Sequence, residues 1–508
     1  MKPLRGHRLL FAAFVVLALA AIYGVAGMHH RVPVGGYAAA SSGRATVTSA
    51  VKACAAPGTS GVTAGGLAIA AMPGSASVGS AVASRFVPGG SAAPGSAVAT
   101  VNRPAELQVV PVKAAPALPK ALLASQPGSS AAVSTQNGRG GALVTATGAM
   151  AQGLAVDQTG PGGMPTAECD SPSTSFWFVG PGQASAADVE LYLMNTDDQA
   201  ADVQVTVITD VTKGGPVLGN ADNGISVPPH SMVTQSLGAL LKSSKVMAIN
   251  VSTSVGRVVA ALRESRNKAE PGGWLPATQA PARSQVIPAL PRSSGKRELY
   301  IAVPGAATAE VKVTAVTSRG SYQPTGGTGI ELLGGSAAQI PLPALGGVPG
   351  ALKISSSVPV AVGLLAGGGP AGTPGAVAAS AVPIQEQSVF AASPVGSAGS
   401  TYLVLSAPKQ AASVRVVVAT ASQPASGQTG SVVHVPAKGS VVVPVKSPRG
   451  HRVLQVMVVV TPLSGSGPVY AGQVINHGGI VLTVMPAQSS LTSIPLPVVH
   501  GSLAAVTP

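Results

Sequence analysis

The chain has 508 residues and a formal charge of +14, yet only 9% of its residues are charged and 3% are aromatic. With 63 Gly it cannot be collagen, and a mean hydropathy of +0.40 is too high for a charge-driven disordered chain. Seventeen Asp and Glu are too few for a helical bundle, which leaves an all-β or low-complexity exported chain, with three or four domains expected on length. The charge is uneven: residues 1–165 carry +9, residues 166–508 carry +5, and no acid follows Glu386. The basic residues are scattered and few aromatics lie among them, so the expected partners are anionic envelope polymers or lipid headgroups, not nucleic acid.

Residues 9–28 (LLFAAFVVLALAAIYGVAGM) carry no charge. A helix of that length spans roughly 30 Å, the thickness of a bilayer core. Lys2, Arg5 and Arg8 precede it, so residues 1–8 are expected in the cytoplasm and the rest outside. A cleaved signal peptide is the alternative, and would leave a secreted protein. Its nearest small-residue site, Ala38-Ala39-Ala40, lies far from the apolar stretch. Residues 29–44 read as a linker. Cys54 and Cys169 are the only cysteines, and one disulfide is expected on the exported side.

Residues 45–168 are rich in Gly, Ser, Pro and Ala, with strand-like pieces at 45–50, 67–71, 96–101 and 106–112. The stretches 89–99 and 124–138 read as loops. Beyond them the chain repeats itself. Segments 189–195 (VELYLMN), 298–304 (ELYIAVP) and 400–406 (STYLVLS) each hold a Tyr, at 192, 300 and 402. Each is followed by an alternating strand, at 202–209, 310–317 and 413–420. Further strands and a closing tail, at 285–291, 387–394 and 492–498, complete each unit. Seven short strands in about 105 residues suit a sandwich of immunoglobulin or fibronectin type. The expected architecture is a degenerate β domain at 45–168 and sandwich repeats at 169–284, 285–386 and 387–508. A β-propeller-like array is the runner-up, although blades are shorter than these units. Residues 141–158 resemble 350–367, and 175–180 stand where 388–392 stand, so the first region reads as a degenerate copy.

Catalytic motifs are missing: there is no Gly-x-Ser-x-Gly elbow, His-Glu-x-x-His or phosphate loop. Ser406-Ala-Pro-Lys409 matches Ser-x-x-Lys but sits in a β repeat and reads as a turn. Asp197, Asp198, Asp202, Asn220 and Asp222 lack the spacing of a calcium loop. The expectation is therefore no enzyme, no cofactor and no metal. The candidate ligand or interface residues are the aromatic run Phe176, Trp177 and Phe178, the second tryptophan Trp274, and the cations Arg263, Arg266 and Lys268. Alternation puts Phe176 and Phe178 on one face and Trp177 on the other.

Cys169, Pro172, Trp177, Phe178 and Gly180 form a Cys-x-x-Pro-x-x-x-x-Trp-Phe-x-Gly pattern. With the strand at 191–198 (LYLMNTDD), it resembles a family of large exported actinobacterial proteins known as a domain of unknown function. The resemblance covers most of residues 45–500. It implies a membrane-anchored or secreted envelope protein, and it implies no catalytic residues. The functional expectation is a non-catalytic, single-pass scaffold or adaptor outside the plasma membrane, tied to envelope glycan assembly. A carbohydrate-binding or adhesin-like module centred on Trp177 and Trp274 is the alternative, with a degenerate hydrolase a distant third.

Overall fold

Alternation makes the strands. Ala201–Thr209 (ADVQVTVIT) buries Ala201, Val203, Val205 and Val207, and exposes Asp202 and Gln204. Ala309–Thr317 (AEVKVTAVT) repeats the same pattern. The computed structural model describes residues 16–17, 43–55, strands at 66–70, 79–85, 87–88 and 130–134, and 141–495 apart from loop gaps. The chain divides into two units, residues 1–45 with 493–508 and residues 46–492.

In the first unit, Arg44–Thr46 pairs with Ser493–Pro495. Arg44 donates from Nε to Ser493 Oγ (2.8 Å) and from Nη2 to the Ser493 carbonyl (3.0 Å). Of the expected span at 9–28 only Val16 and Leu17 are described, and both are helical and exposed. Among the described residues no helix is long and apolar enough to cross a membrane.

The second unit is all-β. It holds four sandwiches, I to IV, each of two sheets whose strands pair antiparallel, except that Val87–Pro88, which follows the third strand of I, pairs parallel with Ser231 and Met232 of II. In sandwich II the strands are Ser175–Pro181, Asp188–Met194, Ala201–Thr209, Ile225–Val227, Ser231–Ser236, Val246–Val255, Val259–Ser265 and Gly273–Leu275. A further short strand, Val217–Gly219, precedes the fourth. One sheet orders them first, sixth, third, fourth, and the other fifth, second, seventh, eighth.

Sandwich III begins at Ala282–Leu290 and sandwich IV at Ser388–Ala392, and both keep this order. In III the sixth and seventh strands run on as one 17-residue strand, Gly350–Ala366, shared by both sheets. Sandwich I has it too. Ser49–Cys54, Ala142–Gly148 and Gly79–Arg85 are its first, sixth and third strands. Ser130–Ser134, Gly66–Ala70, Ala155–Thr159 and Pro165–Glu168 are its fifth, second, seventh and eighth. Ser130–Ser134 falls in a stretch read from sequence as loop, because Ala and Ser give no apolar alternation to see. The expected strands at 96–101 and 106–112 lie outside the described residues.

This order corrects two expectations. An immunoglobulin sheet pairs the first strand with the second, whereas here the first pairs with the sixth. A propeller blade would pair all its strands in sequence order, whereas here the first lies beside the sixth and the second between the fifth and the seventh. The segments at 285–291 and 387–394, read as closing tails, are instead first strands of the next sandwich.

The sandwiches close into a ring, and we call each junction between neighbours a seam. The first sheet of each packs its outer face on the second sheet of the next. At seam I–II, Ala53, Ala55 and Leu143 meet Tyr192, Met194, Met232 and Val259. At seam II–III, Val179, Ile208, Val246 and Ala248 meet Tyr300, Ala302, Ala337 and Ala361. Tyr402, Val404 and Val474 of IV join the core of III, while Tyr470 packs on Val286, Val316 and Ala351. Ala155 of I packs into Val389, Val417, Ala419, Met457 and Val459 of IV, which closes the circle. The eighth strands pack on one another in the order I, II, III, IV, I. Close approach is required: a Cβ on Gly363 of III would collide with the Val179 carbonyl oxygen of II.

Candidate functional site: the seams between sandwiches

The repeated Tyr anchors the seams. Tyr192 and Tyr300 are buried, and each donates its hydroxyl to the Glu two residues before it. The distances are 2.6 Å to Glu190 Oε2 and 2.8 Å to Glu298 Oε2. The ring fills the seam while its polar end stays satisfied. Burial first, then Glu190, pushes the Tyr192 hydroxyl up to about 12. In IV the partner changes: the Arg292 amide donates to Tyr402 Oη (2.9 Å).

The aromatic run divides as its alternation requires. Phe176 and Phe178 lie in the core of II, 6.5 Å apart between ring centroids. Trp177 faces the other way, half-buried against the seam with III. Trp274 lies at seam I–II, where its ring sits 5.5 Å from Tyr192. The two tryptophans therefore belong to different seams. Arg263 pairs in register with Glu190 on one side and Trp274 on the other. Its charge opposes the upward shift of the Tyr192 hydroxyl, which ties it to the seam network. Arg266 and Lys268 lie outside the described residues.

Cys54 and Cys169 form the disulfide, with Cα atoms 4.7 Å apart. The bond lies in the core of sandwich I beside Val144, Met150 and Val156. It joins the end of the first strand to the residue after the eighth, and so ties the two sheets of one sandwich. Of the acids weighed for calcium, Asp197 is taken by Arg257 in two bonds (2.8 and 3.1 Å) and Asp198 by His230 (2.6 Å). Asn220 and Asp222 lie outside the described residues. Among the described residues no group of three acids, His or Cys is placed to hold a metal.

A cluster that the sequence did not announce lies at seam IV–I. Glu168 stands opposite Asp157 on the neighbouring strand, and Asp170 follows two residues later. Asp170 accepts from Gln488 Nε2 of IV (2.9 Å), and its carbonyl accepts from the Ala53 amide (2.9 Å). Burial raises the Glu168 carboxyl well above its usual range. Lys52 opposes that shift, and Asp157 and Asp170 add to it. Glu168 keeps some exposed area, but the crowding of chain around it decides the direction. Burial also raises Asp170, while Lys52 and Gln488 hold it back. Across the ring, the corresponding linkers of II and III meet through Thr278 Oγ1 and Ser380 Oγ (2.6 Å). These linkers stitch the centre, with acids on one side and hydroxyls on the other.

A family profile described as "Family of unknown function (DUF5719)" matches residues 122–446, more than half of the chain. The chain belongs to this family. The DUF5719 match runs from before the fifth strand of sandwich I to just past the fifth strand of IV. No curated protein matches the chain. A solved structure titled "Crystal Structure of Thermotoga maritima 1070" aligns with 20% of this chain and 92% of its own. Its sequence identity is 19% and its TM-score 0.17.

Proposed function

We propose that this DUF5719 chain is a non-catalytic scaffold outside the plasma membrane, held there by residues 9–28 as a single-pass anchor. In this reading residues 1–8 face the cytoplasm, and the four sandwiches serve envelope glycan assembly. The observation that carries it is the closed ring. Its largest buried side chains are committed to cores and seams, which leaves strand edges, loops and the uncovered parts of outer sheet faces as the surface on offer. The Cys54–Cys169 disulfide supports the location, since such bonds persist in oxidising compartments. Secretion after cleavage is the variant of this reading that keeps the same ring without the anchor.

Protease treatment of intact cells tests the topology. The ectodomain should be degraded from outside while a tag before residue 9 is spared. Tag loss from intact cells would reverse the orientation. Capture of envelope extracts on the full chain tests the scaffold. It should retain defined envelope proteins or polymers above a blank resin. Turnover of simple ester, peptide or glycoside substrates would overturn the non-catalytic part.

A further inference from the structure

The geometry points to a carbohydrate-binding face on the outer side of the first sheet of sandwich II, built on Trp177, Asn250, Thr206, Ser175, Ser252 and Gln204. This deepens the glycan side of the reading above, but it rests on one sheet face and needs neither anchor nor scaffold. The six residues form two rows across three strands. Trp177 stands opposite Asn250, and Asn250 opposite Thr206. Ser175 stands opposite Ser252, and Ser252 opposite Gln204. Residues directly opposite in an antiparallel sheet share a face, so all six look outward. At the usual strand spacing the platform is about 10 Å wide, and its rows lie about 7 Å apart.

Every member is neutral. Around one indole the platform offers hydroxyls and two amides, which both donate and accept. Ser175 and Gln204 are exposed, and Trp177, Asn250, Thr206 and Ser252 are half-buried. Asn250 is already fixed: its Nδ2 donates to the Phe176 carbonyl (3.1 Å) and to Ser175 Oγ (3.3 Å). Trp177 is held through its carbonyl, which accepts from the Thr278 amide (2.7 Å). Its ring packs on a cluster whose members from III are Tyr300, Ala302, Ala337 and Ala361, and it stays half-buried there. A sugar ring has an apolar C–H face and a rim of hydroxyls. The first suits the indole, and the second suits preset amides and hydroxyls.

The same positions in the other repeats show what is particular here. In IV the row is Val389, Val459 and Val417, only 4%, 2% and 8% exposed beneath sandwich I. In III it is Val286, Lys353 and Thr314, with Ser284, Ser355 and Lys312 beside it. That face would attract an anion. Only the face of II combines an indole with uncharged polar groups.

Affinity electrophoresis of the full chain in mild detergent tests this, with gels containing mannan, a galactan, xylan or the anionic alginate. At least one neutral polysaccharide should retard the chain. Trp177→Ala should weaken that retardation about tenfold or more, the scale of one lost ring contact. The paired change Gln204→Ala with Thr206→Val, both on the outer face, should weaken it without unfolding the sheet. Trp274→Phe should not change it. Retardation by none of the neutral polysaccharides overturns the inference. So does retardation that survives both Trp177→Ala and the paired change, or retardation by alginate alone. Such failures leave the scaffold reading standing, since that is judged on captured envelope components.

Discussion

Sandwiches II and IV share one strand order and differ on one outward row. In IV the row Val389–Val459–Val417 is apolar and covered by the next sandwich. In II the row Trp177–Asn250–Thr206 is polar around a half-buried ring and only partly covered. The inward faces, by contrast, are interchangeable: Val203, Val205 and Val207 in II do what Val414 and Val416 do in IV. Inward faces set the fold of each unit. Outward faces decide whether a unit is sealed to its neighbour or left open for something else.

Several substitutions can break or sharpen this contrast. The largest effect is expected on sandwich I, which covers the Val row of IV. Reduction of Cys54–Cys169, or Cys169→Ser, removes a constraint on a loop of 115 residues. It should cost about 4–5 kcal/mol in the chain-entropy model, read by denaturant titration with and without reductant. Tyr300→Ala, at a site 1% exposed, should cost about 3–5 kcal/mol by the precedent of buried aromatics. A loss below about 1 kcal/mol would mean that seam II–III is not packed as described. Val459→Ala should cost about 2 kcal/mol, because two buried methyl groups are lost beneath sandwich I. Thr206→Val, on the partly open row of II, should stay within about 0.5 kcal/mol. Equal costs at Val459 and Thr206 would erase the contrast.

The closing seam should also respond to pH. The folded chain holds the Glu168 carboxyl above its usual value near 4.5, so the folded state binds its proton more tightly. The resulting stability is present below pH 4.5 and is lost as pH rises through the folded value. Glu168→Gln should remove that part of the pH dependence in thermal melts across pH 4–8. An unchanged profile would place the titration elsewhere.

Much of this was legible in the sequence. The strict alternation at 202–209, 310–317 and 413–420 gave strands because each inward position is Val, Ile or Ala. The run Phe176-Trp177-Phe178 gave its own division between core and seam. The ring was not legible, because alternation assigns faces without saying what covers the outer one. The sign was present in 191–194 (LYLM), where both faces are apolar; such a strand is buried on both sides. The cluster around Glu168 was hidden for another reason. Lys52 lies more than a hundred residues from Asp157, Glu168 and Asp170 and meets them through the fold of sandwich I, and Gln488 reaches Asp170 only through ring closure. The fifth strand of sandwich I, SAAVS, was lost among small residues.

The central claim is that four sandwiches close into one cooperative ring. Trp177 and Trp274 both lie in sandwich II, so tryptophan fluorescence reports that sandwich, while far-UV circular dichroism reports all four. Guanidinium unfolding followed by both signals should give coincident transitions, and Val459→Ala at seam IV–I should move the tryptophan midpoint as well. Separate transitions, with a tryptophan midpoint indifferent to Val459→Ala, would show independent beads and contradict the ring.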